Sequence, residues 1–398
     1  MRILCTSAQK PDSTGSGVYL AETVRALLAA GHEVAVVAGI DAHDGPQLPA
    51  GTRFSPVRFN TPALPFDVCG MSDVMPYPAT RYRDLTDEQT RRFEVAFAGA
   101  FAETLRTFSP DLVICHHLYL ATAIMVDLAP SCPVWAVCHS TDLRQLKSHG
   151  LQRARIIGSI GRLSGVLALH EQQKAEICDL FGLPPARVRV LGTGYNAREF
   201  HRIEGLRPAD HVRLLYAGKI WRAKGVESLL AALDALPADV PPAHLGCIGG
   251  YSDQAEYDRI RARAARCRVP VVFHGRVSQD DLVRGYNGAH VFVLPSFYEG
   301  LPLVVVEALA CGCRVVVTDL PGIRPWLDAA LPGAPVTYVE PPRMVGVDEP
   351  DPAALPAFER RLAAALADAI RAGAPEPFDT TPLSWDALAA RMIALVSA

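Results

Sequence analysis

Short apolar segments alternate with longer segments in which apolar residues recur every three or four positions, starting at the first residues of the chain. The stretch VYLAETVRALLAA, residues 18–30, has the helical period and is followed by Gly31, a residue type that commonly ends helices. The short apolar segments predict strands, and strands that alternate with helices are typical of a parallel α/β sheet. In the first half they are RILCTSA (2–8), EVAVVA (33–38), DLVICH (111–116), PVWAVCH (133–139) and GVLALH (165–170).

The same alternation occurs a second time. Five further predicted strands are VRLLYAG (212–218), AHLGCIGG (243–250), VPVVFHG (269–275), HVFVLPS (290–296) and CRVVVTD (313–319). Near the end, RRLAAALADAIRAG predicts a helix, PEPFDTTP a link rich in helix breakers, and LSWDALAARMIALV a last short helix. The pattern therefore predicts a second doubly wound sheet followed by two helices.

The polar stretch FHRIEGLRPADH, residues 200–211, contains Gly and Pro and is the best candidate for a domain boundary. We therefore expect an N-terminal Rossmann-like domain over residues 1–203, a C-terminal one over residues 204–381, and a terminal segment over residues 382–398. Ligands bind at the carboxyl ends of such parallel sheets, so two sheets facing each other would place ligands in a cleft.

Composition limits the function classes. The chain has 398 residues, 49% of them hydrophobic, and 39 Lys and Arg against 42 Asp and Glu, so we expect no nucleic-acid partner. Ten cysteines without metal-ligand spacing, and no apolar stretch of roughly 18 residues, predict a cytoplasmic protein without a membrane span. The basic segment RQLKSHGLQRARIIGSIGR leaves a peripheral membrane contact open, although a solvated helix face is favoured.

The loop TGSGVYL carries Gly15 and Gly17 between a predicted strand and a helix, and Asp41 follows the second strand. This arrangement leaves a dinucleotide-dependent dehydrogenase as an alternative. However, Leu20 occupies the third glycine position and the connection PDSTGSG is longer than a tight turn, so the dehydrogenase is disfavoured. The backbone N–H groups of this loop remain suited to an anion or a sugar hydroxyl.

The segment FYEGLPLVVVEALACGC, residues 297–313, places Glu299 and Glu307 among apolar and small residues. An ionised acid in such surroundings requires a cation, backbone N–H groups or ligand hydroxyls. Pro302 suits the first turn of a helix, and the amides before it could hold an anion. Lys219 and Lys224, in the loop KIWRAKG before another predicted helix, form a second candidate phosphate site.

With these motifs the sequence resembles the retaining glycosyltransferases of the GT-B fold, of the family-4-like type, whose hallmark is two glutamates separated by seven residues. Glu299 and Glu307 have this spacing. The resemblance covers nearly the whole chain and extends to the Gly15–Gly17 loop, CHSTDL with His139, VRVLGTGYNAREF, AGKIWRAKG and SWDALAARM, where Trp385 matches an anchoring aromatic residue. It implies two Rossmann-like domains and a terminal helix that crosses back onto the first domain.

The resemblance also implies roles for the matching residues. The catalytic group would be His139, Lys224 and Glu299, with His139 contacting the transferred sugar. Glu307 would accept hydrogen bonds from the nucleotide ribose, and Lys219 stands where the family usually has arginine, which weakens the expectation for its grip on the diphosphate. The remaining donor-binding candidates are Gly17, Gly218, Lys224, Gly300 and Leu301. The acceptor-binding candidates are Ser16, Tyr19, His116, His117, Asp142 and Arg144.

The implied reaction is the metal-independent transfer of a sugar, with retention, from a nucleoside diphosphate sugar to a hydroxylated small molecule or glycan. A UDP-sugar is the favoured donor. The chain has no Asp-x-Asp motif of the kind that grips a divalent metal in the other main glycosyltransferase fold, and no further cofactor is expected. A nucleotide-sugar epimerase on the same fold and a non-catalytic nucleotide-sugar-binding protein remain the alternatives.

Overall fold

Two parallel sheets organise the chain. The computed structural model describes residues 1–45, 48–73, 75–346 and 348–397. The chain divides into unit 1, formed by Met1–Gly194 together with Trp385–Ala398, and unit 2, formed by Tyr195–Ser384. Each unit contains one large parallel sheet with its own set of helices.

In unit 1 the sheet has the strand order β3-β2-β1-β6-β7-β8-β9, and every pairing is parallel. The strands are β1 (Arg2–Ser7), β2 (Glu33–Asp41), β3 (Arg53–Phe59), β6 (Leu112–His116), β7 (Val134–Val137), β8 (Gly165–Ala168) and β9 (Val188–Val190), with β4 (Cys69–Gly70) and β5 (Thr80–Arg81) pairing separately. The helices are α1 (Gly15–Ala29), α2 (Asp87–Phe108), α3 (Leu120–Leu128), α4 (Thr141–Ser148), α5 (Arg153–Ile160), α6 (Glu171–Phe181) and the terminal α13 (Trp385–Ser397).

In unit 2 the sheet has the order β12-β11-β10-β13-β14-β15, again with parallel pairing. The strands are β10 (Val212–Ala217), β11 (Ala243–Ile248), β12 (Val271–Gly275), β13 (Val291–Leu294), β14 (Arg314–Thr318) and β15 (Val336–Val339). The helices are α7 (Val226–Asp234), α8 (Gln254–Ala264), α9 (Gln279–Gly288), α10 (Leu303–Ala310), α11 (Ile323–Ala330) and α12 (Leu355–Ala372).

The burial of the central strands explains why they could be predicted from apolar segments of the sequence. All residues of β6, β7, β8 and β13 are buried, because helices cover both faces of a parallel sheet. The two predicted Rossmann-like domains are confirmed, and each predicted strand overlaps an observed one. The edge strands β3, β9 and β15 were not predicted from the sequence, and neither was the separate pair of β4 and β5.

The chain passes from unit 1 to unit 2 after Gly194 and returns at Trp385, whereas the sequence placed these boundaries at residues 203 and 382. The indole of Trp385 packs edge-on against Tyr19 of α1, with ring centroids 4.9 Å apart. A Cβ atom at Gly194 would lie 2.8 Å from that indole, so the backbone approaches the ring as closely as a glycine allows. Helix α13 is thus an integral part of unit 1.

Among the described residues, no helix has both the length and the apolar character needed to cross a membrane. Each described cysteine is a free thiol.

Candidate functional site

In unit 2 the polar residues singled out from the sequence follow two neighbouring strands. Lys219 and Lys224 come after β10, and Glu299 comes after β13. Strand β10 lies between β11 and β13, so the chain winds in opposite directions from this point of the sheet. Such a switch point leaves a crevice at the carboxyl ends of the strands, where doubly wound folds bind ligands.

The loops after these strands lie in backbone contact. Gly225, which precedes α7, has a φ of 69°, and a Cβ atom there would lie 2.0 Å from the carbonyl oxygen of Pro295 after β13. Gly249, after β11, has a φ of 140°, and its Cβ would lie 1.8 Å from the carbonyl oxygen of Gly218. Glycine at both positions therefore lets the three loops approach one another, which brings Lys224 to Glu299.

Glu299 has protein partners of its own. The Lys224 Nζ atom lies 2.8 Å from Glu299 Oε1, and the Ser296 hydroxyl donates to the same oxygen at 2.7 Å. The Lys224 and Glu299 side chains are 24% and 15% exposed, so the pair is only partly screened by solvent. Of the partners that the sequence left open for Glu299, a cation is therefore present, together with a serine hydroxyl.

Glu307 lies half-buried on α10 and has a different partner. The hydroxyl of Tyr286, from α9, donates to Glu307 Oε2 at 3.1 Å. Burial raises the pKa of Glu307 from its ordinary value to about 7, while the Tyr286 hydrogen bond lowers it and the negative charge of Glu199 raises it. The carboxyl group therefore titrates near neutral pH.

The two lysines of the β10 loop differ in their surroundings. Lys219 is exposed and its Nζ atom lies 4.8 Å from the centroid of the Trp221 ring, a cation–π contact. Lys224 is half-buried and held by Glu299. Gly300 and Leu301, both half-buried, precede α10, and Pro302 is the residue immediately before its first turn.

In unit 1 three histidines meet at the ends of β6 and β7. His116 Nδ1 and His139 Nε2 share a hydrogen bond of 3.0 Å, and His117 Nε2 lies 3.1 Å from the Ser16 hydroxyl. Burial lowers the pKa of His139 to about 3, and burial together with the neighbouring histidines lowers the pKa of His116 and His117. The cluster is therefore neutral at physiological pH and acts through hydrogen bonds. Gly17 is buried in the first turn of α1, where its N–H donates to the Thr14 side chain.

Asp142 has a structural role in this cluster. Its side chain is fully buried and accepts hydrogen bonds from the backbone N–H groups of Leu118 at 2.8 Å and His139 at 3.2 Å. Burial raises its pKa, and these N–H donors oppose the rise. This burial argues against the acceptor contact expected for Asp142. Its carboxylate instead joins the ends of β6 and β7.

Tyr19 is likewise engaged inside unit 1. Its ring is buried against Trp385, and its hydroxyl donates to the Gly192 carbonyl oxygen at 3.2 Å, which leaves no free surface for the expected acceptor contact. Arg144 lies exposed on α4, outside the histidine cluster. The positive φ of His117, 73°, and of Ser140, 71°, places backbone strain at these strand ends.

The basic segment around α5 is largely neutralised. Arg155 pairs with Glu94 at 2.6 Å, and Lys147 pairs with Glu176. This pairing favours the solvated face over a membrane contact. Within the residues that the structure describes, no group of three or more His, Cys, Asp or Glu side chains could hold a metal ion.

Two family models match consecutive parts of the chain. The model of Glycosyltransferase Family 4 matches residues 13–199, and that of Glycosyl transferases group 1 matches residues 197–334. The chain belongs to the family-4-like glycosyltransferases. The two models meet close to the passage from unit 1 to unit 2, and the second one spans Lys219, Lys224 and both glutamates.

Solved structures show that this glycosyltransferase has the GT-B fold. Sucrose-phosphate synthase from Thermosynechococcus elongatus aligns with a TM-score of 0.65 at 22% identity, over 100% of this chain and 98% of that one. HepE from Anabaena, solved in complex with UDP and glucose, aligns with a TM-score of 0.59 at 15% identity, over 99% of both chains.

Curated relatives match over shorter spans. An uncharacterized glycosyltransferase of Methanocaldococcus jannaschii is 28% identical over 54% of this chain and 58% of its own length. A D-inositol 3-phosphate glycosyltransferase of Streptomyces bingchenggensis is 32% identical over 43% of this chain and 42% of its own. The chain thus spans about half the length of these relatives.

Several site residues of the glycosyltransferase were missed from the sequence. Tyr286 and Ser296 contact the two glutamates, and Gln9 donates to Ser16 at 2.5 Å. Ser296 could have been predicted as a partner of Glu299, because it is a hydroxyl residue only three positions earlier in the sequence. No sequence signal pointed to Tyr286. A polar pocket of about 110 Å³ in unit 1 was also missed; its lining includes Lys10, Asp12, Ser13, Ile40, Asp44 and Gly45.

Proposed function

We propose that the protein transfers a sugar, with retention of configuration, from a nucleoside diphosphate sugar to a hydroxylated acceptor without a metal ion. The observation that carries this proposal is the contact of Lys224 with Glu299 at the switch point of the unit 2 sheet. A cation and a carboxylate in one crevice match the two charges that such a reaction generates, a negative diphosphate and a positive anomeric carbon.

The donor would bind in unit 2. Lys224, assisted by Lys219 and by the amides of Gly300 and Leu301 before α10, would neutralise the diphosphate. Glu307 would accept hydrogen bonds from the ribose, because one of its oxygens is held by Tyr286 and the other points to no described partner. We assign UDP as the favoured nucleotide, supported by the UDP and glucose of the HepE complex.

The chemical step would rest on Lys224 and Glu299. The ammonium of Lys224 has three N–H donors, so it can keep Glu299 while it contacts the diphosphate, whose charge grows as it leaves. Glu299 would stabilise the positive charge on the transferred sugar. The neutral His139, fixed by His116, would hydrogen-bond a hydroxyl of that sugar.

The acceptor would bind in unit 1. Ser16 and His117 are joined by a hydrogen bond, and the pocket that includes Lys10 and Asp44 lies at the ends of β1 and β2 in the same unit. These groups suit an acceptor with several hydroxyls. We place the protein in the cytoplasm, a proposal that the free thiols of the described cysteines support.

The deciding experiment measures donor binding and then turnover. Melting temperatures would be compared in UDP-, GDP- and ADP-sugars, because a ligand that binds the native state raises apparent stability. The best donor would then be incubated with candidate acceptors, and the product anomer identified by NMR. Retention supports the proposal. An inverted product contradicts it, and conversion of the donor into an epimer without an acceptor indicates the epimerase.

A further inference from the structure

The ring of Tyr286 is fixed inside unit 2. It is fully buried near the end of α9, with edge-on contacts to Phe200 at 6.0 Å and Phe292 at 5.6 Å between ring centroids. The thiol of Cys313 donates to the Tyr286 carbonyl oxygen at 3.1 Å. Side chains packed in this way keep one rotamer, so the Tyr286 hydroxyl has a defined position.

That hydroxyl donates to Glu307 Oε2 at 3.1 Å. Over the described part of the chain, Tyr286 is the hydrogen-bond partner found for the Glu307 side chain. A carboxylate with one oxygen held by a buried donor is restricted in rotation, and its second oxygen remains able to accept a hydrogen bond from a ligand.

Burial is the main reason that Glu307 resists ionisation, and neighbouring groups modify this effect. Tyr286, from α9, stabilises the carboxylate, and Glu199, in the segment before β10, opposes it with a like charge. Cys311 and Cys313, after α10, are thiols whose pKa is raised by burial, so they are neutral at pH 7. Tyr286 is therefore the group next to Glu307 that favours its charged form.

We propose that Tyr286 is a positioning residue for Glu307, which orients the carboxylate and favours the charged, hydrogen-bond-accepting form that a nucleotide ribose requires. This inference rests on the proposed function for its ligand. Tyr286 would thereby contribute to donor affinity without contacting the substrate itself. A protonated Glu307 would instead offer one O–H donor to hydroxyls that need an acceptor.

A first test needs no ligand. Because the pKa of Glu307 in the folded protein is above its value in the unfolded chain, its contribution to stability is present at low pH and is lost as pH rises from 4.5 through about 7. The melting temperature of wild type relative to Glu307→Gln should therefore fall over this range. The fall begins near pH 4.5 in each variant, but Tyr286→Phe should extend it to higher pH and Glu199→Gln should end it at lower pH.

A second test uses UDP as the probe, by calorimetry at pH 6 and pH 9. We expect Tyr286→Phe to bind UDP about tenfold more weakly than wild type at pH 6, since a hydrogen bond to a charged group has roughly this effect or more. This difference in UDP affinity should be smaller at pH 9, because Glu307 is ionised there even without the Tyr286 hydrogen bond. In a Glu307→Gln background, Tyr286→Phe should change UDP affinity by less than about twofold.

Tyr82→Phe is the matched control, because Tyr82 is an equally buried tyrosine in unit 1. It should leave both pH profiles unchanged. The inference is overturned if Tyr286→Phe leaves the stability profile unchanged, or if it weakens UDP binding by the same factor in wild type and in the Glu307→Gln background. If the stability profile moves but wild type binds no UDP, the positioning role stands and the proposed donor is wrong.

Discussion

The two glutamates of the segment after β13 differ in their partners. Glu299 forms an ion pair with Lys224, whereas Glu307 receives a hydrogen bond from the neutral Tyr286 and titrates near pH 7. Glu299 has a cation beside it, whereas the partner of Glu307 is a neutral hydroxyl group, so only Glu299 has an opposite charge to stabilise its charged form. The spacing of the two glutamates therefore does not mean that their carboxylates have the same electrostatic surroundings.

This difference predicts distinct kinetic effects. Glu307→Gln should mainly raise the donor KM, because ribose contacts change little during the reaction. Glu299→Gln should mainly lower kcat, by about a hundredfold if roughly 2.7 kcal/mol of transition-state stabilisation is lost. Steady-state kinetics on both variants, with folding checked by melting curves, would test the assignment. Equal losses of kcat at unchanged KM would show that the roles are not divided.

The two lysines are predicted to be unequal as well. Lys224→Ala should reduce kcat/KM by about a hundredfold or more, because it removes the half-buried cation and leaves Glu299 without its charge partner. Lys219→Ala should cost about tenfold or less, since the Lys219 ammonium is exposed beside Trp221. Parallel assays with UDP-sugar donors would measure the ratio, and a larger loss for Lys219→Ala would reverse the assignment.

At the scale of elements, the loops after β10 and β13 approach each other closely at Gly225 and Pro295. Gly225→Ala should destabilise the protein by about 1–2 kcal/mol from its positive φ and by about 1–3 kcal/mol more from the clash with the Pro295 carbonyl. It should also weaken donor binding by displacing Lys224 from Glu299. Urea unfolding and UDP calorimetry would measure the two effects.

Gly275 offers a matched control, because it has the same φ of 69° and no atom within 4 Å of a Cβ placed there. Gly275→Ala should show only the conformational cost and normal UDP affinity. Comparable losses in the two variants would mean that the contact with Pro295 is unimportant.

The edge strands show where prediction from the sequence ends. Central strands could be predicted because helices bury both of their faces and their sequences are continuously apolar. In contrast, β3 (RFSPVRF) contains Pro56, a residue that sheets accept mainly at edges, and β15 is only partly buried. The missed strands therefore lack the apolar signal that burial imposes.

In the candidate site, too, some features could be predicted from the sequence and others could not. Positions at strand ends, such as His139 and Lys224, follow from the order of elements and from the family resemblance. The Tyr286–Glu307 contact depends on how two helices present their side chains, and the burial of Asp142 depends on backbone N–H groups at strand ends. Neither arrangement has a local sequence signal, because both arise from tertiary packing.

At the scale of the whole molecule, the proposed chemistry depends on protein cations, so transfer should survive chelation. We expect activity in excess EDTA to remain within about twofold of its starting value, because Lys224 and Lys219 would supply the charge that a metal provides elsewhere. A metal-dependent transferase assayed in the same buffer would verify chelation. Complete loss of activity, restored by magnesium or manganese, would contradict the proposed diphosphate site.

Unit 1 is built from both ends of the chain, because α13 packs on α1 and follows all of unit 2 in sequence. During synthesis at 5–20 residues per second, the ribosome would add unit 2 over roughly 10–40 s before Trp385 is made. Over that time the ring of Tyr19 would lack the indole that packs against it. A nascent chain that stalled within unit 2 would therefore carry an incomplete first unit and become a natural client for chaperones that bind exposed aromatic surface.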